Sequence, residues 1–254
     1  MQSRKVFMIL GGCLVMGIGL SACGGSSGSS SGSSAPNASP GGIWSGQITY
    51  IESGQTIPAY GFCTEAGELR FLSEDGEQTT GVVTVSGNSF TATITSYAPL
   101  GYVFPPYNTT VLSGTASGNI NERNALTGSA VFMGQTASTF SLSYEPIYER
   151  GSNLADIAGT YTVNELNYSS TYTIDSNGVL TGNNSDGCQI AGTVGIIDNN
   201  YNMYRINMTV SACNMNDTYI GLAALLDEGG GENDTLAISV SGNSYVLSVT
   251  VPRQ

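Results

Sequence analysis

Along most of the chain apolar and polar residues alternate in short runs, and Gly, Asn, Asp or Ser interrupt them at short intervals. A period of two places successive side chains on opposite faces of a strand, so this pattern predicts half-buried β-strands. The runs predict strands over 44–51, 68–73, 79–86, 89–96, 111–119, 126–133 and 138–144. A second series follows over 159–165, 170–175, 178–183, 188–197, 203–212, 218–227, 235–241 and 244–251. Gly87-Asn88 and Gly242-Asn243 each sit between alternating runs, and Asp75-Gly76, Asn177-Gly178 and Asp186-Gly187 make similar marks. Such pairs suit the positive φ of tight hairpins. One helical turn is expected near 154–158, and nothing else reads as a helix.

The one long apolar run, Val6 to Leu20, breaks this pattern. Arg4 and Lys5 precede it and small residues end it, which is the form of a secretory signal. It is too short and too Gly-rich to span a bilayer comfortably. Its end, Leu20-Ser21-Ala22-Cys23, resembles the lipobox of bacterial lipoproteins. That resemblance implies cleavage after residue 22, acylation of Cys23 and a membrane partner reached through the acyl groups. Gly24 stands where an inner-membrane retention signal would show Asp, which implies the outer membrane of a Gram-negative host. Residues 23–42 then read as a lipidated cysteine and a flexible Gly/Ser tether.

Two stretches look like domain openings: Gly42-Ile43-Trp44-Ser45-Gly46 and Ala158-Gly159-Thr160-Tyr161. The polar stretch from Tyr148 to Asn153 lies before the second. The expected organisation is therefore two tandem antiparallel β domains, barrels or sandwiches, over 43–150 and 151–254.

Composition narrows the chemistry. The 254 residues include 34 Gly, no His and only seven Lys and Arg. Without His, the Ser-His-Asp and Cys-His arrangements and HExxH zinc sites are excluded. Removing residues 1–22 takes Arg4 and Lys5 away, so the formal charge moves from −12 to −14 and no Lys remains. Schiff-base chemistry is thereby excluded, and no basic stripe is left for nucleic acid. No metal site or cofactor is expected. Asp175-Ser176-Asn177-Gly178 starts like a calcium loop but lacks the later ligands, and a hairpin turn explains it. The acidic run Glu74-Asp75-Gly76-Glu77 and the segment 227–234 could attract Ca²⁺ weakly, but both read as solvated hairpin tips. The remaining catalytic reading is hydrolysis by a pair of carboxylates, although no spacing in the sequence selects a pair.

With Cys13 in the signal and Cys23 lipidated, Cys63, Cys188 and Cys213 remain. An oxidising compartment favours a Cys188–Cys213 disulfide across the hairpin that turns at 198–202. Side-chain alternation prefers cross-strand pairs whose numbers sum to 400, whereas the cysteines sum to 401. The bridge therefore requires a bulge near Ser211 or Cys213. Cys63 reads as a buried thiol.

Gly42-Ile43-Trp44 resembles the Gly-x-Trp opening of lipocalins and other calycins. That resemblance implies an eight-stranded barrel closed at one end, with a ligand cavity. Tyr97, Tyr102 and Tyr107, around Pro105-Pro106, offer with Trp44 a contact surface of the adaptable Tyr-rich kind. The sequence thus predicts a lipid-anchored, non-catalytic binding module for a small apolar ligand, a glycan or a protein. The alternative is a structural or spacer role in the envelope.

Overall fold

The structure, a computed structural model, describes residues 36–254 except Leu100, Pro106 and Ser244. The predicted signal, Cys13 and the lipidation site Cys23 lie outside the described residues. The first sheet consists of β1 (Gly42–Tyr50), β2 (Thr56–Cys63), β3 (Glu68–Ser73), β4 (Gln78–Ser86), β5 (Ser89–Tyr97), β6 (Val111–Asn121), β7 (Ala125–Phe132) and β8 (Gln135–Tyr144). Each strand pairs antiparallel with the next, and β8 returns to β1, closing an eight-stranded barrel. The second sheet has β9 (Gly159–Glu165), β10 (Tyr168–Ile174), β11 (Val179–Asn184), β12 (Gln189–Ile196), β13 (Tyr204–Ser211), β14 (Asp217–Leu226), β15 (Thr235–Ser241) and β16 (Val246–Pro252). Its order is also sequential, and only one isolated bridge, Tyr161 to Arg253, joins β9 to β16. The all-β expectation holds, and both domains are barrels, the second nearly closed.

Strand β2 is absent from the pattern-based prediction because Pro58 and Gly61 interrupt its alternation. The sheet tolerates Pro58 at a particular place. Its carbonyl accepts from Glu74 N–H, so its nitrogen faces the same side, where the β3 ladder has already ended at Ala59–Ser73. The missing donor therefore costs no ladder hydrogen bond.

Inward glycines of the first barrel lie opposite inward aromatics. Gly61 pairs with Trp44 on one side and Phe71 on the other, Gly114 with Phe132, and Gly128 with Phe140. This large–small alternation suits the narrow interior of a small barrel. The interior is completed by Leu69, Val83, Phe90, Ile94, Leu126 and their neighbours. Trp44 is fully buried near the base, and Gly42 leaves room for its indole.

The segment assigned to the tether ends earlier than the sequence suggests. Residues 37–41 cross the barrel base and pack there. Ala38 N–H donates to Gly87 O at 2.9 Å, Ser39 Oγ to Glu65, and Trp44 Nε1 to Pro40 O at 3.3 Å. Short polar residues make these backbone contacts possible, so composition alone does not separate this arm from a free linker.

Between the barrels lie a 3-10 turn, Pro146–Arg150, and one helical turn, Leu154–Ile157, capped by the Asn153 side chain. The polar residues here do not form a loose hinge. Tyr148 is buried and stacks on Tyr201, with ring centroids 4.7 Å apart, beside Ile43, Phe62, Met203, Leu222, Ala224 and Ala237. This cluster explains why β14 and β15 read as nearly continuous apolar runs: one face lines the second barrel and the other meets the first. Asn202, buried in the joint, bonds the backbone of Ile147, Tyr148 and Leu225. Glu68 accepts from Arg70 and from Arg205 of the other barrel at 2.6 Å. Burial pushes its carboxyl pKa up, but the two guanidinium groups outweigh burial and hold it below the ordinary value. From Asn37 to Gln254 the chain is one compact unit.

Cys188 and Cys213 are joined by a disulfide. The adjoining ladder keeps the register that sums to 400, with Ile190 opposite Val210 and Val194 opposite Ile206. The extra residue is Ala212, which adopts φ 64° immediately after β13. One left-handed residue thus brings the two sulfurs together despite the register.

Candidate functional site at the mouth of the first barrel

In an up-and-down barrel alternate connections gather at the same end. The β1–β2, β3–β4, β5–β6 and β7–β8 connections form the mouth, opposite the base where residues 37–41 enter. Three of them are short turns. The fourth, residues 98–110, is a long loop whose ends are tied by Ala98 N–H to Thr110 O at 2.9 Å. Within it Phe104 and Thr109 form a bridge, Asn108 takes φ 50°, and Phe104 packs on the barrel core. Compact loops of this kind hold their own shape and frequently carry function.

The mouth exposes apolar groups. Tyr102 is 65% exposed and Met133 71%, and Ile51, Val103 and Tyr107 are exposed as well. Apolar side chains are abundant on any protein surface singly, whereas here several lie around one rim.

Beneath the rim lies a layer of polar side chains that strand alternation turns inward: Tyr50, Ser73, Glu77, Thr79, Ser96 and Ser138. Tyr50 Oη lies 2.8 Å from Glu77 Oε2 and 3.3 Å from Asp75 Oδ2, and its single proton serves one carboxylate at a time. Thr79 and Ser96 share a hydrogen bond of 2.8 Å. Burial raises the Glu77 carboxyl pKa, Asp75 adds to that rise, and hydrogen bonds from Tyr50 and Ser96 oppose it. Burial, then the charges of Glu77 and Asp75, push the Tyr50 phenol far above its ordinary range, so it stays a neutral donor. The chemistry on offer is hydrogen bonding and proton holding. Among the described residues, no group of three or more His, Cys, Asp or Glu is placed to hold a metal ion.

The structure sorts the residues singled out from sequence. Tyr102 and Tyr107 belong to the mouth. Trp44, expected to join these tyrosines on a contact surface, is instead fully buried at the base. Tyr97 is not with the other tyrosines; it points outward beside Gln78, which bonds Val246 and Ser248 of the second barrel. Cys63 is a buried free thiol. Tyr50, Ile51 and Met133 were not singled out, and Glu77, expected on a solvated hairpin tip, is turned inward onto Tyr50 instead. An apolar residue at a turn, as in Ile51 and Met133-Gly134, was the available signal, whereas the inward placement of Glu77 depends on a register that the sequence does not display.

A second cluster lies at the joint. Arg123, at φ 56°, extends over the rings of Tyr144, Tyr148 and Tyr201 at 5.0 to 5.8 Å from their centroids and pairs with Glu149 at 2.8 Å. Its donors also reach Tyr144 and Tyr201 hydroxyls. These groups satisfy one another and clamp the barrels together.

No protein-family model matches the chain, and neither the curated proteins nor the solved structures yield a matching relative.

Proposed function

We propose that this chain is a lipid-anchored protein of the bacterial cell envelope that binds a protein partner through the mouth of its first barrel. The observation that carries this reading is the ring of exposed apolar side chains, Ile51, Tyr102, Val103, Tyr107 and Met133, around one barrel end. A filled interior favours a protein surface over a small apolar ligand held inside the barrel. The lipobox resemblance at Cys23 supports anchoring, and Gly24 supports an outer-membrane address. Two or three acyl chains, at about 0.8 kcal/mol per buried methylene, give a lasting attachment. The packed joint between the barrels supports a second reading, a rigid spacer in the envelope.

Two measurements test the proposal. A fatty-acid analogue should label the wild-type protein and not Cys23→Ala; label that survives the substitution refutes the anchor. A photo-crosslinking residue at Tyr102 should capture a discrete partner in native membranes, while the same probe at Glu122 on the base should not. Equal capture at both positions, or none at Tyr102, refutes the mouth as the contact surface.

A further inference from the structure

The second barrel has a seam. Tyr161 bridges Arg253, and Gln254 N–H donates to Thr160 O at 2.9 Å, but no ladder pairs β9 with β16 beyond that point. A cause is visible in the sequence. Continuing the register places Pro252 opposite Thr162, and proline has no N–H to return to the Thr162 carbonyl. The next residue of β9 that faces the seam, Asn164, has neither its N–H nor its carbonyl in a ladder.

The core loses cover at the same place. Tyr161 and Val251, beside the bridge, are fully buried. One step further, Val163, Val249 and then Leu247 are only partly buried although they line the barrel interior. Leu166, at the tip of the β9–β10 hairpin, is 90% exposed. The two edges are not equivalent. The first barrel covers part of β16, with Gln78 Nε2 donating to the Val246 carbonyl and Tyr60 meeting Thr250, whereas β9 has no such cover among the described residues.

We infer that the β9 edge accepts an extended, cationic segment of a partner protein, which adds a strand beside Asn164 and lays apolar side chains against Val163, Val249 and Leu247. An exposed edge offers directional donors and acceptors that only an extended chain can match, while alternate side chains fill the interior. Charge selects the partner. Glu165 follows Val163 on the inward-facing side of β9, and Asp186 lies at the same end of the barrel, on the β11–β12 turn. All five arginines of the folded body are already engaged, with Glu68, Glu149, Asp227 or, for Arg253, the Tyr161 hydroxyl. A second copy of the chain would bring the same excess of acid to the seam and is disfavoured.

The test uses the full-length protein and a labelled octapeptide of alternating Lys and Val. The expected result is saturable binding below about 1 mM, the weak end of specific recognition, with amide exchange at Asn164 slowed at least about tenfold. A block peptide of the same composition, four Lys then four Val, should bind far less, and backbone N-methylation on alternate residues of the octapeptide should abolish binding. Asn164→Pro, which removes a donor outside every ladder, should abolish it too, with circular dichroism confirming that the fold survives. No binding of the alternating peptide overturns the inference. So does equal binding of both peptides without protection of Asn164, which would show attraction to acidic charge alone.

Discussion

Replacing both Cys188 and Cys213 with alanine tests how the second barrel is held together. The bridge closes a loop with a sequence separation of 25. For that length the chain-entropy relation gives about 3.5 kcal/mol at 25 °C. Ala212 works in the opposite direction, because an L-residue at φ 64° costs about 1–2 kcal/mol. Without the bridge Ala212 can relax, so the net loss should be about 2 kcal/mol. Urea unfolding followed by far-ultraviolet circular dichroism measures it directly. The same logic predicts coupling. In the bridged protein Ala212→Gly should gain about 0.5–1 kcal/mol, after subtracting the entropy that glycine adds to the unfolded chain. In the Cys-free protein that gain should vanish. A net loss under about 1 kcal/mol, or an equal glycine effect in both backgrounds, would refute the claim that the left-handed residue reconciles ladder and bridge.

Three further outcomes follow from the first barrel. Gly128→Ala should destabilise by about 1–3 kcal/mol in urea titrations, because the added carbon would lie 2.3 Å from Ser117 O and 2.7 Å from Phe140 Cζ. Glu77 binds its proton more tightly folded than unfolded, so its contribution to stability is complete below the ordinary glutamate pKa and is lost as pH rises through the raised folded value. Burial raises the Glu228 pKa in the same direction, so unfolding titrations across that window should show the decline in wild type and a shallower one in Glu77→Gln. Burial first, then the charges of Glu65 and Glu68, push the Cys63 thiol well above its usual range, so a thiol reagent should modify it only after denaturation. Rapid labelling of the native protein would contradict that.

Strand order and hairpin positions were legible because a two-residue period survives wherever one face is buried and the other is wet. The signal failed at β2, where Pro58 and Gly61 occupy positions only a barrel makes harmless. It was silent on the joint as well. The run Gly221-Leu222-Ala223-Ala224-Leu225 announces burial on both faces, but not which surface supplies the second cover. The mouth was half legible: Tyr102 and Tyr107 stand out by type, whereas Glu77 and Tyr50 become neighbours only through the pairing of β1, β2 and β3 and the β3–β4 turn. Trp44 shows the converse, a residue whose type suggests contact and whose position forbids it.

That buried indole has a practical consequence. Trp44 is the only tryptophan in the chain, and it sits inside the first barrel, bonded to the arm that crosses the base. Its fluorescence therefore reports one half of the molecule and ignores the other. Melting followed by emission and melting followed by a strand-sensitive probe will coincide only if the barrels unfold together. Nature has supplied a single-site dye, and the gap between the two curves reads out how tightly the halves are coupled.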